Sequence, residues 1–142
     1  MIALASDHAG FDYKERVKKL LDALGVSYKD YGTHSGERAD YPDFAHLGAE
    51  GILSGECDRG IFICGTGVGI SIAANKHKGI RASACQILEA AEMTRRHNDS
   101  NVLCLGQRLV SWDLAEQMIK TWLSTEFEGG RMPWLYHHYV GH

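Results

Sequence analysis

Short apolar runs alternate along the chain with segments in which apolar residues recur every three or four positions. The runs predict strands at 2–6, 26–31, 60–64, 81–85 and 102–105. The periodic segments predict helices around 17–24, from a cap at Asp43 to Ile52, 70–74, 87–96 and 115–122. The pattern therefore predicts five strands, each followed by a helix.

Strands that alternate with helices are typical of a parallel sheet covered by helices on both faces. The predicted fold class is α/β, a three-layer αβα sandwich around a Rossmann-like, five-stranded parallel sheet. We expect the flavodoxin-like strand order 2-1-3-4-5, in which the first and third strands are neighbours. Asp7, His8 and the loop at 64–69 would then share one crevice, where such sheets bind their ligands.

The composition narrows the class of protein. The 142 residues, 44% hydrophobic and 23% charged, predict one globular domain over residues 1–142. A net charge of -3 without a basic run argues against nucleic acid or an anionic membrane as a partner. We expect a cytoplasmic location, because the chain opens without a signal-peptide pattern and has no apolar run near the roughly 20 residues that span a bilayer. The four cysteines form no Cys-x-x-Cys pair, which favours reduced thiols.

A glycine-rich loop, Gly65-Thr66-Gly67-Val68-Gly69, follows the predicted third strand and precedes a helix. Backbone N–H groups in such a loop and the positive end of the helix dipole bind an oxyanion or a phosphate. The dinucleotide fingerprint is not met, because Ile70 stands where its last glycine should be, and the Walker A pattern also fails. A tight turn without a ligand is the alternative.

Cys64 ends the predicted third strand directly ahead of this helix, a position that favours a thiolate. Such a thiolate could act as a base or a nucleophile. The phosphatase pattern Cys-x5-Arg is absent, because Ile70 stands six residues after Cys64. A packed, structural cysteine is the alternative interpretation.

Several other polar residues are candidates for binding. Asp7 and His8 could bind a hydroxyl and a phosphate, or Asp7 could cap the next helix beside a surface histidine. His97 and Asn98 end a helix, and helices in a parallel sheet end at the edge opposite the strand carboxyl ends. His97 could therefore serve the crevice only from another subunit, and Arg131 follows a helix end with the same consequence. The alternative for His97 is an interaction with the helix dipole.

The remaining histidines predict no metal site. His34, His46 and His77 show no ligand spacing in the sequence. His137, His138 and His142 lie in an aromatic tail that could bind a metal ion only adventitiously. We therefore expect neither a metal ion nor a cofactor.

Taken together, the motifs resemble one family, the type B ribose-5-phosphate isomerases, which are related to galactose-6-phosphate isomerases. The resemblance runs from Ile2 to Arg131. Its segments are Ser6-Asp7-His8-Ala9-Gly10, Tyr31-Gly32-Thr33, Asp40-Tyr41-Pro42, the run from Ile63 to Lys76, Gly79-Ile80-Arg81-Ala82, Arg96-His97-Asn98-Asp99 and Gly129-Gly130-Arg131.

The resemblance implies interconversion of ribose 5-phosphate and ribulose 5-phosphate through an enediolate, without a metal. It implies that Cys64 is the base that moves a proton between C2 and C1 of the sugar, and that Thr66 and His97 assist ring opening. Another branch of the family has no cysteine at the position of Cys64 and places a glutamate where Val68 stands here. This chain therefore resembles the branch that uses a cysteine base. The residues that the resemblance assigns to substrate binding are Asp7, His8, Tyr41, Gly65, Gly67, Val68, Gly69, Asn98, Arg108 and Arg131.

The resemblance also implies a homodimer or a homotetramer with an active site shared between subunits. The chain departs from the family at its end, from about residue 132, where Met132 follows Arg131 and Leu135 replaces a second arginine. Losing one charge-assisted phosphate contact would cost roughly 1.5–3 kcal/mol. The alternatives are an isomerase of another phosphorylated aldose, such as a hexose 6-phosphate, and a non-catalytic module that binds sugar phosphates or nucleotides.

Overall fold

The computed structural model describes residues 1–129 as a sheet of five strands with helices on both faces. The strands are β1 (Ile2–Ser6), β2 (Tyr28–Asp30), β3 (Arg59–Cys64), β4 (Ala82–Ala84) and β5 (Val102–Gly106). The helices are α1 (Phe11–Leu24), α2 (Tyr41–Leu53), α3 (Val68–Asn75), α4 (Leu88–Asn98) and α5 (Trp112–Ser124), and a short 3-10 helix (His8–Gly10) precedes α1.

All strand pairs are parallel, and the order is β2-β1-β3-β5-β4. The predicted α/β class and five-stranded parallel sheet are confirmed, but the expected order 2-1-3-4-5 is wrong for the last two strands. Every residue of β5 is buried, whereas β4 is a three-residue strand of small, partly exposed residues. The apolar strand therefore takes the inner position, and the small one forms the edge.

The two faces of the sheet carry separate hydrophobic clusters. Side chains alternate between the faces, so Leu4, Ile61 and Leu103 pack with the α1, α4 and α5 side, while Phe62 and Cys104 face α2 and α3. The α2 side is tightly packed, because a Cβ at Gly48 would lie 2.6 Å from the ring of Phe62. This close packing fixes α2 and α3 relative to the strands that carry the site.

A buried ion pair anchors the end of β2. Lys14 of α1 is fully buried, and its Nζ lies 2.6 Å from Oδ2 of Asp30. Burial alone would raise the pKa of Asp30, but hydrogen bonds from Lys14, Lys18 and the Gly32 amide outweigh it and lower that pKa. The Asp30 carboxylate therefore stays charged and holds α1 against the carboxyl end of β2.

All five helices differ from their predicted bounds, most at the start of α1, which begins at Phe11 and not near residue 17. The second helix begins at Tyr41 with Asp40 at the N-cap, and Asp43 lies in its first turn, so the predicted cap at Asp43 is wrong. Pro42 fits in the first turn of this helix, because proline has no N–H and the N–H groups of a first helical turn have no partner within the helix. The fourth helix runs past the periodic stretch at 87–96 to Asn98, so His97 and Asn98 do end it as predicted. Within residues 1–129, no helix has both the length and the apolar character needed to cross a membrane.

Candidate active site

An open cleft of about 360 Å³ lies at the carboxyl edge of the sheet, beyond β1 and β3. The parallel register brings Ser6 level with Ile63 and Cys64 level with Gly106, so the loops after β1, β3 and β5 meet there. The cleft is lined by Asp7, His8, Ala9, Tyr41, Cys64, Gly65, Thr66, Gly69 and Arg108. With the exception of Ala9, these residues were predicted from the sequence.

Cys64 places a thiol at the base of this cleft. The residue is 4% exposed, and its Sγ accepts a hydrogen bond from the backbone N–H of Gly67 at 3.2 Å. The first turn of α3 begins one residue later, at Val68, so the positive end of the helix also faces the sulfur. The sulfur therefore lies between a backbone N–H donor and the positive end of a helix.

The other three cysteines are buried away from the cleft. Burial raises the pKa of Cys85 to about 11, and burial together with the nearby Cys64 and Cys85 raises that of Cys104. These two thiols stay protonated at neutral pH and fill space in the two hydrophobic clusters. Cys57 is buried with its Sγ 3.7 Å from the hydroxyl of Tyr31.

The glycine-rich loop needs glycine for two different physical reasons. Gly67 caps α3 with a φ of +81°, and a Cβ there would also lie 3.0 Å from the Leu105 carbonyl carbon. Gly69 lies against the ring of Tyr41, where a Cβ would come within 2.8 Å. The Val68 amide donates to Oγ1 of Thr66 at 3.2 Å, which orients that hydroxyl. Gly67 and Val68 thus shape the loop without lining the cleft themselves.

The loop after β5 supports the glycine loop through its backbone. The Gln107 amide donates to the Cys64 carbonyl and the Arg108 amide donates to the Gly65 carbonyl, each at 3.0 Å. A Cβ at Gly106 would lie 2.5 Å from the Thr66 backbone. Sequence reasoning missed Gly106, although a glycine directly after the apolar run at 102–105 was a usable signal.

Asp7 and His8 lie on the opposite wall of the cleft. Asp7 is 7% exposed, and its Oδ1 accepts a hydrogen bond at 3.0 Å from the Gly10 amide, so Asp7 does cap the short helix as the alternative stated. The Nδ1 atom of His8 lies 3.0 Å from the Ala39 carbonyl oxygen. A Cβ at Gly10 would lie 2.3 Å from the Ile63 carbonyl oxygen, so this turn packs directly on β3.

His97 and Asn98 lie away from this cleft. They form the last turn of α4, which leads into the amino end of β5, at the opposite edge of the sheet. Asn98 lines a different cavity of about 220 Å³ together with Arg81, and His97 is exposed. The geometric prediction that His97 does not reach the cleft of its own chain is therefore confirmed. Arg131, Met132 and Leu135 lie outside the described residues.

Two histidines that were predicted to have no ligand spacing are brought together by the fold. The Nδ1 atom of His46 lies 2.8 Å from Nε2 of His77, and Glu50 offers a carboxylate oxygen beside them. The sequence does not show this meeting, because His46 and Glu50 share one face of α2 at a spacing of four, while His77 arrives from the end of α3.

Comparisons with known proteins agree with this architecture. The sequence matches the Ribose/Galactose Isomerase family over residues 2–133. Ribose-5-phosphate isomerase B of Escherichia coli K12 is 49% identical over 130 residues, which cover 92% of this chain and 87% of that protein.

Two solved structures extend the likeness. Ribose-5-phosphate isomerase B of Clostridium thermocellum shares 50% identity over 96% of this chain and 93% of its own, with a TM-score of 0.94. The Mycoplasma genitalium enzyme of the same name, solved with bound ribulose 5-phosphate, shares 36% identity over 98% and 93%, with a TM-score of 0.92.

The chain therefore belongs to the ribose/galactose isomerase family, as the sequence motifs indicated. It is an enzyme, an intramolecular oxidoreductase of the ribose-5-phosphate isomerase type.

Proposed function

We propose that the chain interconverts ribose 5-phosphate and ribulose 5-phosphate through an enediolate, without a metal ion, with Cys64 as the base. The observation that carries this proposal is the hydrogen bond from the Gly67 amide to Cys64 Sγ at the base of the cleft. A sulfur that receives an N–H bond at a helix N-terminus is suited to carry the negative charge that proton abstraction requires.

The proton transfers follow from this placement. The Cys64 thiolate removes the proton from C2 of the open-chain aldose, and the C1 carbonyl becomes an enediolate oxygen. Amides of the loop 65–69 other than those of Gly67 and Val68, which already bind Cys64 and Thr66, stabilise that oxygen, a contribution that can reach about 3–4 kcal/mol per donor. The Cys64 thiol then returns the proton to C1, while the O2 hydroxyl proton moves to O1, which yields the ketose.

Ring opening needs a second pair of proton-transfer groups. Thr66 of the glycine loop lines the cleft, and its hydroxyl accepts a hydrogen bond from the Val68 amide. His97 of the partner subunit supplies the other group, because the His97 of the same chain lies at the far edge of the sheet. Asn98 of the partner subunit hydrogen-bonds the sugar. The functional unit is therefore a homodimer or a homotetramer.

Substrate binding is divided between polar and cationic side chains. Asp7 holds sugar hydroxyls, and Tyr41 forms a wall of the cleft against Gly69. The phosphate is bound by His8 and Arg108, together with Arg131, for which the structure gives no position. A single-domain organisation over residues 1–142 and a cytoplasmic location stay predictions.

The test is ketose formation from ribose 5-phosphate in EDTA, measured for the wild-type protein, Cys64→Ala and Cys85→Ala. We expect turnover by the wild type, a loss of about 10²–10⁴-fold in Cys64→Ala, and near wild-type rates in Cys85→Ala. Circular dichroism of each variant verifies that the chain is folded. Full activity in Cys64→Ala would overturn the assignment of the base.

The same assay separates the alternatives. Faster turnover of a hexose 6-phosphate than of ribose 5-phosphate would establish an isomerase of the larger sugar. Binding of sugar phosphates without turnover of any of them, by folded protein, would contradict catalysis and establish a binding module.

A further inference from the structure

Three potential metal-ligating side chains meet on the outer surface of the α2 and α3 layer. His46 and Glu50 lie one helical turn apart on α2, and His77 follows the end of α3. One ligand atom from each lies within 4.8 Å of the others, and the two ring nitrogens are 2.8 Å apart. His46 and Glu50 are exposed and His77 is half-buried, so an ion can enter from solvent.

The ring of His77 is already oriented for coordination. Its Nδ1–H donates to the Ala74 carbonyl at 3.2 Å, and its backbone amide donates to the same oxygen at 3.1 Å. This bond leaves the Nε2 lone pair pointing at His46. A ligating histidine ring held through its other nitrogen by a backbone carbonyl is the usual supporting arrangement of metal sites.

His46 needs only a shift of tautomer to become the second ligand. Because the Nδ1 atom of His77 must donate to the Ala74 carbonyl, the Nε2 atom of neutral His77 accepts, and the proton between the two rings belongs to His46 Nδ1. Moving that proton to the solvent-facing Nε2 of His46 turns both facing nitrogens into electron-pair donors with no change in net charge. Around a tetrahedral zinc ion two nitrogens stand about 3.3 Å apart, so the pair must open by about 0.5 Å.

We propose that His46, Glu50 and His77 bind a divalent transition-metal ion, with Zn²⁺ as the reference ion. Two imidazoles and one carboxylate form a borderline-soft donor set that suits zinc and its neighbours better than magnesium or calcium. The three ligands leave the remaining coordination position to water. The site is separate from the cleft, which none of the three residues lines.

The bound ion ties α2 to α3. These are the helices that present Tyr41 and the glycine loop to the cleft, and His46 lies five residues, or about 7.5 Å, along α2 from Tyr41. An ion that binds only the folded chain stabilises it in proportion to the logarithm of its concentration. The expected effect is on thermal stability, and turnover in EDTA proceeds without the ion.

The test is zinc binding by competition with a chromophoric chelator. The background variant carries His137→Gln, His138→Gln and His142→Gln, because the three tail histidines offer competing imidazoles. In that background we expect one zinc ion per chain and a rise in melting temperature when zinc is added. His46→Gln and His77→Gln should each weaken binding by at least about tenfold and remove the rise. The matched control is His34→Gln, an exposed histidine outside the cluster, which should bind zinc unchanged.

Glu50→Gln guards against a loss of folding in the histidine variants, since its carboxylate takes no part in the bond between the rings. It should retain the melting temperature of the metal-free protein and lose zinc affinity. Absence of zinc uptake, or uptake that none of the three substitutions changes, would overturn the proposal and leave a hydrogen-bonded histidine pair or an adventitious ion only.

Discussion

The two edges of the sheet hold their functional residues by different means. At the carboxyl edge the backbone does the positioning: Gly67, Gly106 and Gly10 allow three loops to approach within van der Waals contact, and main-chain amides bind Cys64. At the amino edge, charged side chains do the positioning. Arg95 donates to Asp99 and to the Ser100 carbonyl at 2.9 and 2.6 Å, which fixes the turn that follows His97.

The difference explains why a single chain holds only half of the proposed chemistry. The base and the amide cradle require strand carboxyl ends and a helix N-terminus, and the geometry of βαβ units places both at one edge. A residue at a helix C-terminus, such as His97, is carried to the other edge by the same geometry. Under the proposed function, joining the two edges into one site would require a second copy of the chain.

The largest predicted effect comes from mixing two inactive chains. Cys64→Ala and His97→Ala homodimers should each be nearly inactive, whereas a mixed dimer contains one site with both residues intact. An equimolar, randomly reassorted mixture should recover about a quarter of the wild-type activity, and purified heterodimers about half. Ketose formation before and after mixing measures the gain, and silence from verified heterodimers would contradict a shared site.

The second prediction concerns the backbone-held edge. Gly67→Ala places a Cβ at a φ of +81° and against Leu105, so the loop must shift and kcat/KM should fall about 100-fold. Gly55→Ala is the matched control, because its φ of +86° imposes similar strain but a Cβ there meets nothing within 4 Å. Steady-state kinetics and urea unfolding of both variants separate the site effect from the strain. Equal kinetic losses in the two variants would contradict a specific role for the close contact between Gly67 and Leu105.

The third prediction concerns the ion-held edge and has the smallest effect. Asp99→Asn keeps a residue that tolerates the left-handed conformation at φ +50° but removes the carboxylate that Arg95 binds. The free energy of unfolding should fall by about 1.5–3 kcal/mol, the range for hydrogen bonds to charged groups. Glu92→Gln, which removes an exposed carboxylate 3.9 Å from Arg96 on the same helix, should change it by less than about 0.5 kcal/mol. If urea unfolding gave the same loss of stability for both variants, the Arg95–Asp99 pair would not hold the amino edge more strongly than an exposed ion pair does.

The sequence predicted what depends on local order along the chain. Cys64 and the glycine loop stand next to each other at a strand end, so their shared position could be read from the residues alone. The order of β4 and β5 could not, because both follow helices and either could pair with β3. It is decided by the buried side chains of β5, which need neighbours on both sides.

Contacts between distant segments explain the other misses. Gly106 matters because Thr66, forty residues earlier, lies on it: the glycine after the apolar run at 102–105 marks the position, but the sequence does not show which distant segment it meets. His46 and His77 likewise meet only when α2 and α3 pack side by side. The residues at 130–142 carry the departure from the family motif and lie outside the described structure, so Arg131 stays a prediction.

The arrangement of short and long strands also bears on aggregation. The two outermost strands, β2 and β4, have three residues each, while the apolar β3 and β5 are enclosed between neighbours. An unpaired strand edge is a template on which a foreign chain can add, and its strength grows with its length and flatness. Within residues 1–129, each rim of the sheet offers a template of three residues. Cross-β growth is thereby discouraged, and contacts between copies are left to helix and loop surfaces.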